Sequence, residues 1–555
     1  MTRIRSKPLI LTALLMAAFV INLDTTLVNV ALPVLTRELG ATTAQLQWVV
    51  DAYNLAFAAL LLTCGSLSDR FGRKGMLLAG LVVFGAASFV GGYLTSPDAL
   101  IAARAVMGVG AAMTFPATLS LLTGVFVSRN ERALAIGLWG ATAGVAIALG
   151  PIVGGFLLEH HSWSSIFFVL GPVSLAVVAL VALCVPKAKL PITHGLDFVG
   201  LALSAGFMAL LVYTIIEAPT RGWTAPGSLL GFAGATVLLV AFVAAEWRAR
   251  EPMLDVRLFA NMRFSAASIA VTIAFFTLLG FIFLMTQYFQ FIRSYSPLST
   301  GVHLLPVAVS VAVGSAVGTR LAVKVGTKAI VTAGMALQAG FYFWVASDIT
   351  PTIGYGTIAI QMVVYGLGMG LTSAPATESI MGAVPAARAG VGSAVNDSTR
   401  LLGGTLGVAV IGSVYASLYD TRLGADLPKQ LPSGLVAVVH QSVGAAYNVA
   451  AKLSAGGQSA VARAVYAAAT NAFDHGLAIG CVVAGAVAAA GAVFSALYLP
   501  AQPPQRTETP RAPAEPSSTR SHTRLAAPAR AGFDDLDSAL GSELPGRTGI
   551  SAGQS

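Results

Sequence analysis

Gly65-Ser66-Leu67-Ser68-Asp69-Arg70-Phe71-Gly72-Arg73-Lys74 is a short charged turn set between two apolar runs. It holds one acid, three bases and two glycines in ten residues, and its flanks are apolar enough to live in a bilayer. Glycines in so tight a connection permit a sharp turn and close backbone approach. The charges can pair with helix ends or with each other, holding one conformation of a moving protein. A plain topology marker would explain the bases, but neither Asp69 nor the glycine spacing. Gly65, Asp69, Arg70, Gly72 and Arg73 are therefore read as a conformational motif.

The rest of the chain has the composition those flanks require. Hydrophobic residues make up 56% of the 555 residues and charged residues only 10%, with a mean hydropathy of +0.77. Soluble domains carry about 25% charged residues, so the chain reads as an all-α, multi-spanning membrane protein. A span needs ~20 mainly apolar residues. Fourteen stretches qualify, near 9–31, 46–66, 76–95, 99–121, 133–157, 164–185, 197–217, 227–246, 265–287, 299–319, 329–347, 353–376, 395–417 and 475–499. The first contains Asn22, Asp24 and Asn29 and no small-residue cleavage site, so it reads as a retained helix rather than a signal peptide.

With the N-terminus inside, eighteen bases fall in inward short segments and three (Arg37, Arg221 and Arg293) in outward ones. That bias predicts both termini in the cytoplasm. The net charge of +9 then reflects topology and implies no nucleic-acid partner. Cys64, Cys184 and Cys481 lie in or beside apolar runs and form neither a disulfide framework nor a metal-binding pattern. The expected organisation is an N-terminal six-helix bundle over 1–186, an inserted helix pair with linkers over 187–250, and a C-terminal six-helix bundle over 251–499. That second bundle carries a long outward loop at 418–474, whose helix-compatible alanine-rich stretches and Pro432 suggest a partly helical cap, and 500–555 reads as a disordered cytoplasmic tail rich in Pro, Ser, Ala and Arg. Residues 248–264, too polar to span, are expected to form a surface helix. A weak internal echo, Gly318 to Lys328, repeats the rhythm of Arg70 to Lys74 and suggests two related bundles.

Charges inside spans cost about 2.5–3.5 kcal/mol each on insertion scales, which makes them functional candidates. Asp24, Asp51, Arg104 and Asp397 are the candidates for proton coupling and substrate binding. Asp24 lies about seven residues, or ~10 Å, from the outer end of its run, too deep for so short a side chain to reach water. The structural alternative for it is a buried acid tied to Asn22 or Asn29, and for Arg104 a purely structural pair. Glu217, Glu378, Asp474 and His303 are undecided. In the fifth run Gly140, Gly144, Gly150 and Gly154 recur at spacings that let membrane helices approach closely, and Pro151 should kink the helix.

Several of these stretches resemble one family. The turn 65–74 looks like the signature between the second and third helices of the major facilitator superfamily. Leu23-Asp24-Thr25-Thr26-Leu27-Val28-Asn29-Val30-Ala31-Leu32-Pro33 resembles the first-helix motif of its fourteen-helix drug:proton antiporter branch. Gly150-Pro151-Ile152-Val153-Gly154-Gly155 resembles that branch's antiporter motif, and Arg104 with Gly108 and Gly110 its helix-four motif. The likeness continues through Trp48-Val49-Val50-Asp51-Ala52-Tyr53, Glu251 to Phe259 and 390–412, and looks closest to quaternary-ammonium and multidrug exporters. Ala146, Ser164 and Asn396 depart from the pattern, standing where the motif has glycine, arginine and a first acid; Asp397 matches the second acid.

The resemblance implies a major facilitator fold of two six-helix bundles plus two inserted helices. It implies a proton-coupled antiporter that exports lipophilic or quaternary-ammonium cations across a bacterial-type plasma membrane, working as a monomer on the proton gradient without a cofactor. Arg104 would tune a carboxylate's affinity for protons. The alternatives are a dedicated exporter of one endogenous product, such as an antibiotic or a lipid, and an intramembrane enzyme. The sequence lacks a Gly-x4-Gly-Lys-Ser/Thr phosphate loop, which argues against direct drive by ATP. His160, His161 and His194 match no catalytic arrangement.

Overall fold

A computed structural model describes residues 6–126, 129–186, 197–249, 252, 254–348, 353–384, 389–429 and 431–501. Within helices some side chains, including those of Asp69 and Arg70, fall outside the described set, as do positions 140 and 144, Glu251 and the expected tail beyond 501. The described part belongs to one compact unit that ends at Pro503.

The first bundle comprises α1 (Lys7–Leu39), α2 (Thr43–Phe71), α3 (Arg73–Gly91), α4 (Pro97–Val125), α5 (Arg129–His160) and α6 (Ser165–Cys184). A hairpin follows, α7 (Phe198–Arg221) and α8 (Pro226–Arg248). Next come α9 (Met262–Gln287), the short α10 (Pro297–His303), α11 (Leu305–Val325), α12 (Thr327–Asp348) and α13 (Tyr355–Ala383). The chain then forms α14 (Ala389–Asp426), two short helices, α15 (Ser433–Val439) and α16 (Val443–Ala455), and α17 (Ser459–Tyr498). Twelve of the described helices are long and apolar enough to cross a membrane. The remaining two long ones, α2 and α5, have 29 and 32 residues and stand where spans were expected.

Local signals set the helix ends. Thr42 and Gln45 form a reciprocal capping box at α2, and the Ser96 hydroxyl accepts the Ala99 amide at α4, just before Pro97. Gly72 sits at φ +101°, a backbone region L side chains avoid, so α2 stops and α3 turns back at once. Gly326 has the same φ between α11 and α12, at the place of the weak echo in the sequence.

That echo extends to the packing. In the first bundle α1 packs on α4, α5 and α6, α2 on α4, and α3 on α4 and α6. In the second, α9, α11, α12, α13, α14 and α17 take those six places and make the same pairings. One contact recurs almost atom for atom. A Cβ on Gly80 would lie 2.5 Å from Thr114 Oγ1 and 2.8 Å from the Gly110 carbonyl; on Gly334 it would lie 2.5 Å from Thr372 Oγ1 and 2.7 Å from the Gly368 carbonyl. Each threonine hydroxyl bonds back to its own helix, at 2.8 Å in both cases. Small residues with self-satisfied hydroxyls let membrane helices approach without stranding a polar group. The α7–α8 hairpin lies outside these pairings and leans on α2 and α14.

Two stretches differ from the sequence expectation. α1 does not stop near residue 31 but continues through Pro33 to Leu39, so Asp24 is fifteen residues from its C-terminal end. Residues 418–474 are mostly helical, in keeping with their alanine-rich stretches, because α14 and α17 extend into them and α15 and α16 lie between. The surface helix expected within 248–264 is a short 3-10 turn, Val256–Ala260, capped by Asp255.

Candidate functional site

Asp24 is completely buried, and its partner is neither of the asparagines on its own helix. Asn22 and Asn29 donate instead to the Ala18 and Thr25 carbonyls. The Asp24 Oδ2 atom lies 2.6 Å from Nη1 of Arg104 on α4, with side-chain exposures of 0% and 1%. Arg104 is held on three sides. Its Nε donates to the Val49 carbonyl of α2 at 3.0 Å, its guanidinium lies 4.3 Å from the Tyr53 ring centroid, and Met107 Sδ is 3.9 Å from Nη1. The Tyr53 hydroxyl donates to the Ile21 carbonyl, one turn before Asp24. Three helices thus fix one ion pair, and Oδ1 of Asp24 remains buried with no hydrogen-bond partner. A pair so far from water is costly to break, because removing one partner leaves an uncompensated charge worth about 3–5 kcal/mol. A proton on Asp24 would leave Arg104 as that charge.

The other two acids lie apart from this pair. Asp51 on α2 is fully buried, and neither of its carboxylate oxygens has a hydrogen-bond partner. Asp397 on α14 lies 3.5 Å from Arg400, three residues on, and Asn396 donates to it at 3.5 Å. Among the described residues no ion pair or hydrogen bond joins Asp51 or Asp397 to Asp24 and Arg104. Sequence reasoning missed Arg400, whose guanidinium lies 4.5 Å from the Phe275 ring centroid. A base three residues after an intramembrane acid was the available signal. Two undecided residues have structural partners: Glu217 pairs with Arg221 at 3.6 Å, and His303 bonds to Ser299 between the rings of Tyr295 and Tyr355.

Two cations of the turn 65–74, Arg73 and Lys74, dock on helix ends. Arg73 donates to the Ser120 carbonyl near the C-terminus of α4 at 3.0 Å. Lys74 donates to the Ala182 and Val185 carbonyls at the end of α6, both at 2.7 Å. Carbonyls at a helix C-terminus lack intrahelical donors and carry the negative end of the dipole, so cations dock there. Arg73→Ala removes a charged hydrogen bond worth about 1.5–3 kcal/mol when well formed. The expected result is a transport rate lowered about ten-fold with little change in the half-saturating substrate concentration, measured in proteoliposomes. Parallel loss of binding would assign the arginine to the substrate site or to folding.

The glycine motif of α5 faces two ways. A Cβ on Gly150 would lie 3.0 Å from the Leu27 nitrogen, and one on Gly154 would lie 3.0 Å from the Leu27 carbonyl, both on α1. On Gly155 it would lie 2.5 Å from the Pro297 carbonyl and 2.6 Å from Leu298 Cα, at the start of α10 beside the second bundle. Gly301 of α10 packs in turn against Pro151. Further links join the bundles at this same end. Gln290 donates to the Val30 carbonyl at 2.8 Å and accepts from Arg37 at 3.2 Å. Gln47 reaches the Val408 and Ala409 carbonyls and the Ser413 hydroxyl at 3.0–3.2 Å. The Thr43 amide bonds to the Gln441 carbonyl at 3.2 Å. The bundles therefore meet at the end that the basic-residue bias places outside. Neither Gln47 nor Gln290 was singled out by sequence; both are buried amides in apolar helices, and that was the missed signal.

Residues 14–408 match the Major Facilitator Superfamily. The multidrug efflux pump LfrA of Mycolicibacterium smegmatis is 33% identical over 490 residues, which cover 88% of this chain and 95% of LfrA. The tetracenomycin C resistance and export protein of Streptomyces glaucescens is 32% identical over 506 residues, covering 89% and 92%. A solved structure of a bacterial homologue of the human lysosomal transporter Spinster, inward-facing and occupied, shares the fold with a TM-score of 0.63 at 17% identity, covering 89% of this chain and 98% of that one. The chain belongs to the Major Facilitator Superfamily, within the branch of efflux transporters those relatives represent. It is a multi-pass membrane transporter of the plasma membrane, not an enzyme.

Proposed function

We propose that this transporter is a proton-coupled multidrug antiporter that exports lipophilic and quaternary-ammonium cations by alternating access. The observation that supports this most is the fully buried Asp24–Arg104 pair with one carboxylate oxygen unpartnered. With Asp24 ionised the pair is neutral overall and the free oxygen can face an organic cation. With Asp24 protonated the site carries the bare charge of Arg104, which repels that cation. Proton binding and cation release are thereby the same electrostatic event. The seam between the bundles at α5, α10 and the Gln290 segment is the part that would open for release. In proteoliposomes containing only this protein, an imposed pH gradient should drive tetraphenylphosphonium or ethidium movement that a protonophore collapses. Movement insensitive to the gradient would remove proton coupling.

A second reading, export of a single endogenous product, is favoured by the likeness to a tetracenomycin C export protein. A growth-inhibition panel with gene and empty vector separates the two, since a dedicated exporter protects against one compound class.

Asp397 and Asp51 are assigned to divalent substrates. A second carboxylate helps a dication more than a monocation in a low-dielectric cavity. Exporting two charges also costs ~2.3 kcal/mol per charge per 100 mV. The Asp397 side chain retains 12% exposure and leans on Arg400, whereas Asp51 is fully enclosed. Asp397→Asn, and less strongly Asp51→Asn, should lower resistance to bisguanidine or bisquaternary compounds by several-fold more than resistance to ethidium. Equal losses for both classes would indicate a structural role.

A further inference from the structure

The export cycle proposed above needs Arg104 to stay in place after Asp24 takes a proton. A protonated carboxyl no longer balances a guanidinium, and an arginine released from its partner can swing away on its flexible stem. The site would then lose the positive charge that expels the organic cation. Something other than Asp24 must hold the guanidinium.

Tyr53 meets that need. It is 0% exposed, and each part of it is fixed from a different helix. Its carbonyl lies against Gly108, one turn after Arg104 on α4. A Cβ on Gly108 would collide with that carbonyl and lie 2.9 Å from Ala56 Cβ, so the glycine lets α2 come this close. The Tyr53 hydroxyl donates at 3.1 Å to the Ile21 carbonyl of α1, which also accepts from Thr25 Oγ1 at 3.3 Å. Between these anchors the ring lies 4.3 Å from the Arg104 guanidinium, and Phe57 packs edge-to-face on it at 6.0 Å.

The negative face of an aromatic ring attracts a cation, and more strongly where water is excluded. A proton on Asp24 does not cancel that attraction. The ring and the Val49 carbonyl, 3.0 Å from Nε, are thus partners of Arg104 that persist through the protonation step. Among the described residues no other charge is placed to substitute. Asp51 has no bond to Arg104, and the charges on other helices packed against α1 and α4 lie towards helix ends: Arg73 and Lys74 on α3, Glu131 and Glu159 on α5, Arg263 on α9. The sixth helix, α6, carries none.

We propose that Tyr53 is a positioning residue that retains Arg104 beside Asp24 while Asp24 is protonated, keeping the site electropositive until the proton leaves. The proposal rests on the proton-coupled reading of the Asp24–Arg104 pair. Its sign follows from which state the ring restrains. Ionised Asp24 holds Arg104 by itself, so without the ring Arg104 relaxes away only from the protonated form. That form gains, and Asp24 then keeps its proton to higher pH.

Infrared titration of the purified full chain tests this by the carboxyl stretch of protonated Asp24, assigned by its loss in Asp24→Asn. Tyr53→Leu should raise the pH of half-protonation by about one unit, the scale of a desolvated cation–π contact. Tyr53→Phe keeps the ring and should return the midpoint towards wild type. Replacing Tyr53 by a trifluorinated phenylalanine keeps the ring's shape, drains charge from its face, and should raise the midpoint without the packing defect of leucine. A midpoint that the fluorinated ring leaves unmoved, or an equal rise in Tyr53→Phe and Tyr53→Leu, overturns the proposal. The pH dependence of tetraphenylphosphonium binding by the same samples separates it from the coupling reading. Binding that follows the Asp24 titration in the wild type, with a midpoint that no change of the ring moves, removes the role of Tyr53 and leaves coupling standing. A midpoint that shifts with the ring while cation binding ignores pH does the reverse.

Discussion

Asp24→Asn should reduce proton-driven cation uptake into inverted vesicles to the level of vesicles lacking the protein, and abolish resistance, with the protein still present in the membrane. The substitution keeps the side chain's shape and leaves an oxygen to accept from Arg104, so the α1–α4 contact survives in outline. What it removes is the charge. Arg104 is then a permanent buried cation in the proposed site, equivalent to the protonated state of the wild type. Breaking a buried pair costs about 3–5 kcal/mol, and every 1.4 kcal/mol is ten-fold in an equilibrium, so cation binding should weaken by about two to three and a half orders of magnitude. The interpretation depends on a control for folding, which Asp24→Glu supplies: it retains the charge and should recover a measurable fraction of transport. Wild-type rates in Asp24→Asn would falsify the assignment of Asp24 as the coupling acid.

The second large effect should come from a residue with no functional group. Gly155→Val places a branched side chain where the Pro297 carbonyl and Leu298 Cα already lie within 2.6 Å of a Cβ. Those are backbone atoms at the start of a helix and cannot yield as a flexible side chain would. Overpacking of this kind costs about 1–3 kcal/mol. Here the strain can be relieved by separating the bundles, so it acts on the conformational equilibrium rather than on folding. A shift of that size is roughly 5–150-fold in population. Transport should fall by at least about five-fold, and a spin-label distance between positions 161 and 441, in a chain lacking its native cysteines, should lengthen. Gly150→Val is the contrast, because its neighbours belong to α1 of the same bundle; it should destabilise the protein without moving that distance. Lost transport with an unchanged distance would assign Gly155 to packing alone.

Much of this architecture is legible along the chain. Apolar runs of about twenty residues mark the spans because a bilayer leaves the backbone no partner but its own helix. The turn 65–74 is legible because its special conformation needs a glycine at a given place, and Gly72 at φ +101° meets that need. The internal echo at Gly318 to Lys328 was faint because packing, not side-chain identity, is what repeats: Gly326 has the φ of Gly72, and Gly334 meets Thr372 as Gly80 meets Thr114. Asp24 and Arg104 both stood out for their cost in a membrane, and each had a local explanation that sequence alone could not dismiss.

Other features depended on distance in space. Arg104 is eighty residues from Asp24, and only the crossing of α1, α2 and α4 puts guanidinium, carboxylate and the Tyr53 ring together. Asp51 and Asp397 look equivalent to Asp24 in composition, yet one is enclosed without a partner and the other leans on Arg400. The end at which the bundles meet is set by Gln47, Gln290 and Gly155, ordinary residues in an apolar helix until the opposing backbone is known. Periodicity and insertion cost are properties of a segment and its solvent, so they can be read in order along the chain. Pairing is a property of two surfaces, and which surfaces meet is decided by how the helices pack.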